Sequence, residues 1–281
     1  MTTRLLRAAA LCGAVLLAAC ESPSVTGTLR SPGDQPSLIK NGDLDGNGHP
    51  GVVLLLIDSA GKPAYRCSST LLTPTVVLTA GHCVGEPGEF SGWRIFTEAD
   101  VDAGTKAGTN NYPNPGPNTI EAKEGHAFPG FTEAQFYLHD VAVVILKTPY
   151  NLPASQYGKL PAVNQLDGLQ NGANTTFTAV GYGVQQIGPT KETANRVRMV
   201  AEPHLVKLNS PSVGLYSMLL SNNASTGGTC FGDSGGPNFL GSSMVVAGVT
   251  SFSRNNWCTG TGGVFRLDRK DVLDFVNQYL K

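Results

Sequence analysis

Apolar residues along this chain fall in short runs separated by clusters of Gly, Pro, Asn, Asp and Ser. That spacing predicts strands rather than helices. Val52–Ile57 ends at an Asp-Ser-Ala-Gly turn, Thr75–Thr79 is apolar and β-branched, and Val141–Leu146 is a continuous apolar run of buried-strand type. Thr175–Val180, Met199–Val200, Met244–Thr250 and Gly263–Leu267 extend the series. Ala103–Asn118, dense in Gly, Asn and Pro, reads as a long surface loop, and Leu152–Asn171 as the crossing between two halves. Only the C-terminus has a helical period. There Val272, Phe275, Val276, Tyr279 and Leu280 form one stripe, with Asp268 placed to cap it and Asp271 in its first turn. Short strands in two halves followed by one helix predict an all-β fold. No internal repeat is visible.

The start of the chain breaks this pattern. Arg4 and Arg7 precede an apolar run, Ala8–Ala19, too short to span a bilayer and built like an export signal. It ends in Leu17-Ala18-Ala19-Cys20, which resembles a bacterial lipobox. The resemblance implies a signal peptide over 1–19 and a lipid on Cys20. Residues 20–38, rich in Ser, Pro, Gly and Thr, cannot support a core and read as a disordered tether. The folded part is then 39–281. Its expected home is the bacterial cell envelope, periplasmic or surface, with the membrane as a partner through Cys20 or after release from it. Lipoprotein cysteines carry more than one acyl chain, so such anchoring is stable.

At 281 residues the chain can bury one large core or two small ones. Its 34 glycines and 18 prolines suit a protein of many turns, and a net charge of −1 offers no footing for nucleic acid. Cys12 lies in the segment to be removed. Beyond it and Cys20 remain Cys67, Cys83, Cys230 and Cys258, which in an exported chain read as two disulfides with three possible pairings. Their spacing fits no common zinc module. Asp43-Leu44-Asp45-Gly46-Asn47-Gly48 imitates the opening of a calcium loop, but its twelfth position is Leu54, so a tight turn is expected. No metal and no cofactor are expected.

Three segments carry chemistry: Thr79-Ala80-Gly81-His82-Cys83, His139-Asp140-Val141-Ala142-Val143-Val144, and Gly232-Asp233-Ser234-Gly235-Gly236-Pro237. Together and in this order they resemble the signature segments of the chymotrypsin/trypsin family of serine proteases. The resemblance runs from Ile39 to the C-terminal helix. It implies two antiparallel six-stranded β-barrels packed face to face, one over about 39–155 and one over about 156–267, followed by a helix over 268–281. It further implies a triad of His82, Asp140 and Ser234, an oxyanion hole from the N–H groups of Gly232 and Ser234, and disulfides 67–83 and 230–258. His49, His126 and His204 are expected to be solvated, and His139 to be a surface or supporting residue.

By the same resemblance Gly228 lies at the base of the primary specificity pocket, with walls from Ser251, Phe252, Ser253 and Gly263. No carboxylate stands at its base and Ser253 narrows it, which implies small or medium apolar side chains before the scissile bond. Ile39-Lys40-Asn41-Gly42 resembles the family's processed N-terminus, so cleavage after Leu38 would pair Ile39 with Asp233. Lys40 and Leu38 depart from the usual pattern. The alternative is an enzyme active unprocessed, with Asp233 bonded to side chains or backbone. The implied activity is that of a monomeric serine endopeptidase acting on polypeptides. The competing readings are a catalytically silent binding module and an esterase using the same groups.

Overall fold

Val141–Leu146 is apolar throughout because both its faces are buried, and most of the architecture follows from strands of this kind. The computed structural model describes residues 41–187, 190, 192–210 and 214–280. The first barrel is built from β1 (Val52–Ser59), β2 (Lys62–Leu71), β3 (Val76–Thr79), β4 (Gly92–Phe96), β5 (Thr119–Ala127) and β6 (Ala142–Leu146). It closes in the order β1-β2-β3-β6-β5-β4. The second is built from β7 (Gly172–Gly181), β8 (His204–Ser210), β9 (Gly214–Asn222), β10 (Pro237–Leu240), β11 (Val246–Ser253) and β12 (Gly260–Arg266). Its order, β7-β8-β9-β12-β11-β10 with β10 returning to β7, repeats that of the first. The repetition exists in topology while the residues show none. A two-residue strand, Asp43–Leu44, pairs with Met199–Ala201 on the second barrel's edge, so the chain touches that barrel before building the first.

Alternate residues of one strand serve two cores. Val53, Leu55, Ile57, Ala142 and Val144 fill the first barrel, and Phe177, Leu205, Met218, Leu220 and Val264 fill the second. Val52, Leu78, Val143, Val180, Phe239 and Phe265 meet in the seam between them, joined by the helix α2 (Lys270–Asn277) through Val272, Phe275 and Val276. At roughly 1.5–3 kcal/mol for each large apolar side chain buried, the seam contributes on the scale of a barrel core. The strands that the apolar pattern does not announce are half-wet. β2 begins with four exposed residues, and β5 contains no fully buried one.

Three expectations need correction. The Gly-, Asn- and Pro-rich stretch after residue 100 is not all loop, since Val101–Ala107 forms the helix α1. Asp100 caps it by accepting from Ala103 N at 2.7 Å, and Gly108 at φ 73° ends it. Asp268 does not cap α2. It is fully buried, bound to the Arg266 guanidinium at 2.9 and 3.0 Å and to Leu166 N at 2.8 Å, and a buried cation outbids a helix end for a carboxylate. The helix runs over Lys270–Asn277 rather than 268–281. Two of the three histidines expected in solvent have ring partners. His49 binds Asp45 at 2.5 Å and stacks on Phe239, and His126 stacks on Tyr279. His139 stacks on Phe128.

The calcium-like segment is a turn, with Gly48 N donating to Asp45 O and Gly46 at φ 54°. The Asp45 carboxylate is turned inward onto His49 and onto buried Arg198 at 3.0 Å. Arg198 also donates to Val52 O, Gly46 O and Tyr182 Oη, tying the segment before the first barrel to both barrels.

Candidate active site

β3 ends in a single 3₁₀ turn, Gly81–Cys83, that lifts His82 to the rim of the first barrel. Gly81 permits this: a Cβ there would fall 2.5 Å from the Phe131 ring. The turn is anchored by the Cys67–Cys83 disulfide and by Trp93 Nε1, which donates to Cys83 O at 2.9 Å. Asp140, fully buried just before β6, receives His82 N at 3.0 Å and has both oxygens 3.0 Å from His82 Nδ1. Ser251 Oγ donates to its second oxygen at 2.5 Å. The carboxylate thus fixes the ring's orientation and leaves Nε2 as the edge available for chemistry.

Burial alone would push the His82 pKa down, but the charge and hydrogen bonds of Asp140, aided by Glu133, hold it above the ordinary histidine value. Glu133 stands in the 3₁₀ segment Glu133–Leu138 ahead of Asp140, and its own pKa is raised by burial and by Glu89. Phe136 from the same segment sets its ring edge-on to the imidazole, 5.6 Å between centroids. Replacing Glu133 by glutamine removes a negative charge that favours the imidazolium. The acid limb of the kcat/KM profile is then expected to move to lower pH, with the plateau little changed, as measured on a small ester or peptide substrate.

Ser234 comes from the second barrel, on a loop between β9 and β10. Gly235 is obligatory there, having φ 76° and backbone packed so closely that a Cβ would lie 2.0 Å from Thr79 Oγ1. Ser68 of the first barrel binds this loop at two points and the end of β7 at a third. Its N–H donates to Ser234 O at 2.8 Å, its hydroxyl donates to Gly232 O at 2.9 Å, and the same hydroxyl accepts from Tyr182 N at 2.8 Å. With its carbonyl drawn toward Ser68, Gly232 adopts φ 93°. Neither Gly232 N nor Ser234 N is spent on a backbone carbonyl among the described residues. Two adjacent donors flanking a hydroxyl can stabilise an oxyanion.

Asp233 points the opposite way, into the protein. It is fully buried and accepts from Gly183 N at 2.8 Å and Cys230 N at 2.9 Å. Burial outweighs these bonds and the nearby charge of Arg66, pushing its carboxyl up to about 6. Gly181 and Gly183 leave the room it occupies, since a Cβ on either would lie within 2.4 Å of its oxygens. Ile39, expected as its partner, lies outside the described residues, as do Cys20 and the segments 1–19 and 20–38.

His82 and Ser234 line one cavity of about 320 Å³, with Glu133 and Phe136 on one side and Thr229, Cys230 and Phe231 on another. Ser251, Phe252 and Ser253 complete it. Of the five residues expected around a specificity pocket, these three line the cavity and Gly228 and Gly263 do not. Gly263 is covered by the Phe252 ring, 2.3 Å from where a Cβ would be, and Gly228 by the side chain of Asn222. Cys230 is joined to Cys258 beside this wall. Cys67, His82 and Cys83 approach one another closely enough to suggest metal ligands, but the disulfide takes both sulfurs. Glu133, Phe136, Thr229 and Phe231 are absent from the sequence reading. Only their nearness along the chain could have suggested them, the first two to Asp140 and the last two to Ser234.

The family model described as trypsin matches residues 43–268. Scolexin B of Heliothis virescens is 29% identical over 213 residues, covering 68% of this chain and 66% of that protein. Brachyurin of Leptuca pugilator is 27% identical over 222 residues, covering 75% and 84%. Among solved structures, HL collagenase superposes with a TM-score of 0.66 at 19% identity, over 86% of this chain and 98% of that one. At that identity the likeness is one of fold.

Proposed function

The chain belongs to the trypsin family and is a serine endopeptidase, and on that premise we propose that His82, Asp140 and Ser234 form its catalytic triad. The observation that carries this reading is an imidazole, backed by a buried carboxylate, sharing one cavity with a hydroxyl from the other barrel. Ser234 Oγ attacks the scissile carbonyl as its proton passes to His82 Nε2. The oxyanion is received by Gly232 N and Ser234 N, each donor worth about 10²–10³ in rate. His82 then protonates the departing amine, leaving an acyl group on Ser234. Water, deprotonated by His82, releases the acid and restores the hydroxyl. Asp140 accepts from Nδ1 throughout and so keeps the proton there.

The cavity's one lining carboxylate is Glu133, from the segment ahead of Asp140, and the stretches 229–231 and 250–253 that line the rest of it bring none. This supports a preference for small or medium apolar side chains before the scissile bond. Covalent labelling by an organophosphonate, lost in Ser234→Ala, tests the triad. A wild-type chain that resists labelling would instead be a silent binding module. Cleavage of an unfolded protein separates a peptidase from an esterase.

The export signal 1–19, lipidated Cys20, tether 20–38 and protease domain 39–281 form part of the same proposal, with the enzyme a monomer on the bacterial envelope. The two disulfides support an oxidising compartment. Mass spectrometry finding an unmodified Cys20 would remove the anchor.

Activation by cleavage before Ile39 is the remaining part. A buried carboxylate that, among the described residues, accepts only from neutral backbone donors is a site for a cation, which a new α-amino group would supply. The two forms should respond oppositely to pH. Unpaired, Asp233 has a folded pKa of about 6 against an ordinary value of 3.8, so it favours the folded state below about pH 4 and loses that contribution as pH rises through 6. Two units correspond to about 3 kcal/mol. A chain beginning at Ile39 has the carboxylate paired and its pKa depressed, so over the same window stability holds or rises. Urea midpoints of both forms between pH 4 and 7 decide it, and identical profiles would argue against the pairing.

A further inference from the structure

The catalytic groups stand between two cavities. His82, Glu133 and Ser234 line both the cavity walled by Phe252 and a second one, also of about 320 Å³, on the side of the Cys67–Cys83 disulfide. On the triad reading the scissile bond lies at Ser234 and the side chain before it occupies the first cavity, so the residues after it leave through the second. That second cavity has an apolar wall in Ile57, Tyr65 and Phe90, the two rings 5.8 Å apart. Its permanent cation is Arg66. Alternation along β2 turns Arg66 to the same side as Ser68, toward the second barrel. There its Nη2 donates to Ala194 O at 3.2 Å, and a Cβ on Gly232 would lie 3.5 Å from its Nε. Arg94, Arg196, Arg198, Arg266 and Arg269 each pair with a carboxylate. Arg66 is half-buried and pairs with none among the described residues, where its hydrogen-bond partner is a neutral carbonyl. A guanidinium drawn partly out of water without an anion beside it is unfavourable, so one lining a substrate cavity is a feature to be explained.

We propose that Arg66 determines specificity on the leaving side of the substrate, taking an aspartate or glutamate side chain from one of the first two residues after the scissile bond. This rests on the triad reading above and leaves the apolar preference before that bond untouched, since that preference concerns the other cavity. The carboxylate supplies the missing anion, and its two oxygens match the fork of the guanidinium. A lysine brought to the same place meets a like charge. The cavity's own carboxylates, Glu89 and Glu133, belong to its His82 side. Burial, Glu89, His82 and Asp140 act on the Glu133 carboxyl, while Arg66 acts on Asp233, next to Gly232. Glu89 is already engaged, accepting from Glu86 N at 2.9 Å. An acidic side chain directed toward His82 is therefore repelled, and one directed toward Arg66 is held. Successive side chains of an extended substrate point to opposite sides, so only one of the two positions carries the preference.

The test is a set of internally quenched peptides identical except for Glu, Gln or Lys at the first or the second position after the cleaved bond. At one of the two positions wild-type kcat/KM is expected to be about tenfold higher for Glu than for Gln, and the ratio should shrink as salt is added. In Arg66→Gln the ratio should fall to about one, and in Arg66→Glu preference should move to Lys. A small organophosphonate counts the working Ser234 in each sample. If Arg66 only supports the Gly232 loop, Arg66→Gln slows all the peptides alike and keeps the ratio, which overturns the assignment. A wild-type enzyme that labels and cleaves but gains nothing from Glu at either position overturns it too, and leaves the triad standing. A wild-type chain that neither labels nor cleaves any member of the set overturns this assignment together with the triad.

Discussion

Alanine at position 234 lowers kcat on a peptide substrate by about five to six orders of magnitude while leaving KM within a few-fold. Removing Oγ leaves water as the only nucleophile, with nothing to hold it against the carbonyl. The residual rate, about 10³–10⁴ above the uncatalysed one, comes from the oxyanion donors and from binding. Those donors are backbone groups on a loop pinned by Ser68 and by Gly235 N on Thr250 O, so the substitution leaves them in place. Active-site titration against the wild type is the measurement. A loss below a hundredfold would mean that Ser234 is not the nucleophile.

Asp140→Asn should cost about 10⁴ in kcat near neutral pH. Both carboxylate oxygens lie 3.0 Å from His82 Nδ1, and both accept other donors, His82 N on one and Ser251 Oγ on the other. A carboxamide cannot accept at both positions. If its nitrogen faces the ring, Nδ1 must become the acceptor and the proton moves to Nε2, which can then no longer take one from Ser234. The His82 pKa, held up by Asp140, also falls. Groups that act as a unit are not additive, so the Asp140→Asn, Ser234→Ala double variant should be no slower than Ser234→Ala alone. An additive double variant would separate Asp140 from the triad.

The segments around His82, Asp140 and Ser234 are readable in the sequence because each packs its message into a few neighbouring residues, a glycine turn or a buried strand beginning at the reactive group. The all-β class is readable for a similar reason. β1 and β6 are buried on both faces and show it as unbroken apolar runs. Strands with one wet face, such as β5, leave no comparable trace. Elsewhere the reading fails where a partner arrives from far along the chain. Asp268 looks like a helix cap until Leu166 N is seen donating to it and Asp167 and Asn209 are seen holding its neighbour Arg266 against it. His49 looks solvated until Phe239 comes to cover it. Gly228 is the sharpest case. It announces a missing side chain, and nothing near it says that an amide six residues earlier, carried back by the end of β9, fills the gap. α1 shows the opposite failure, since its cap and its terminating glycine are local but lie among residues dense in loop formers.

Ser68 is one residue of a buried strand, yet it is the point where one barrel grips the reactive loop of the other. On the proposed triad neither half-chain is a hydrolase alone: one holds the base and its carboxylate, the other the nucleophile and the anion-binding amides. A polypeptide still emerging from the ribosome or threading a translocation pore therefore has nothing to turn against its neighbours. Cutting power arrives last, with the docking of two finished halves.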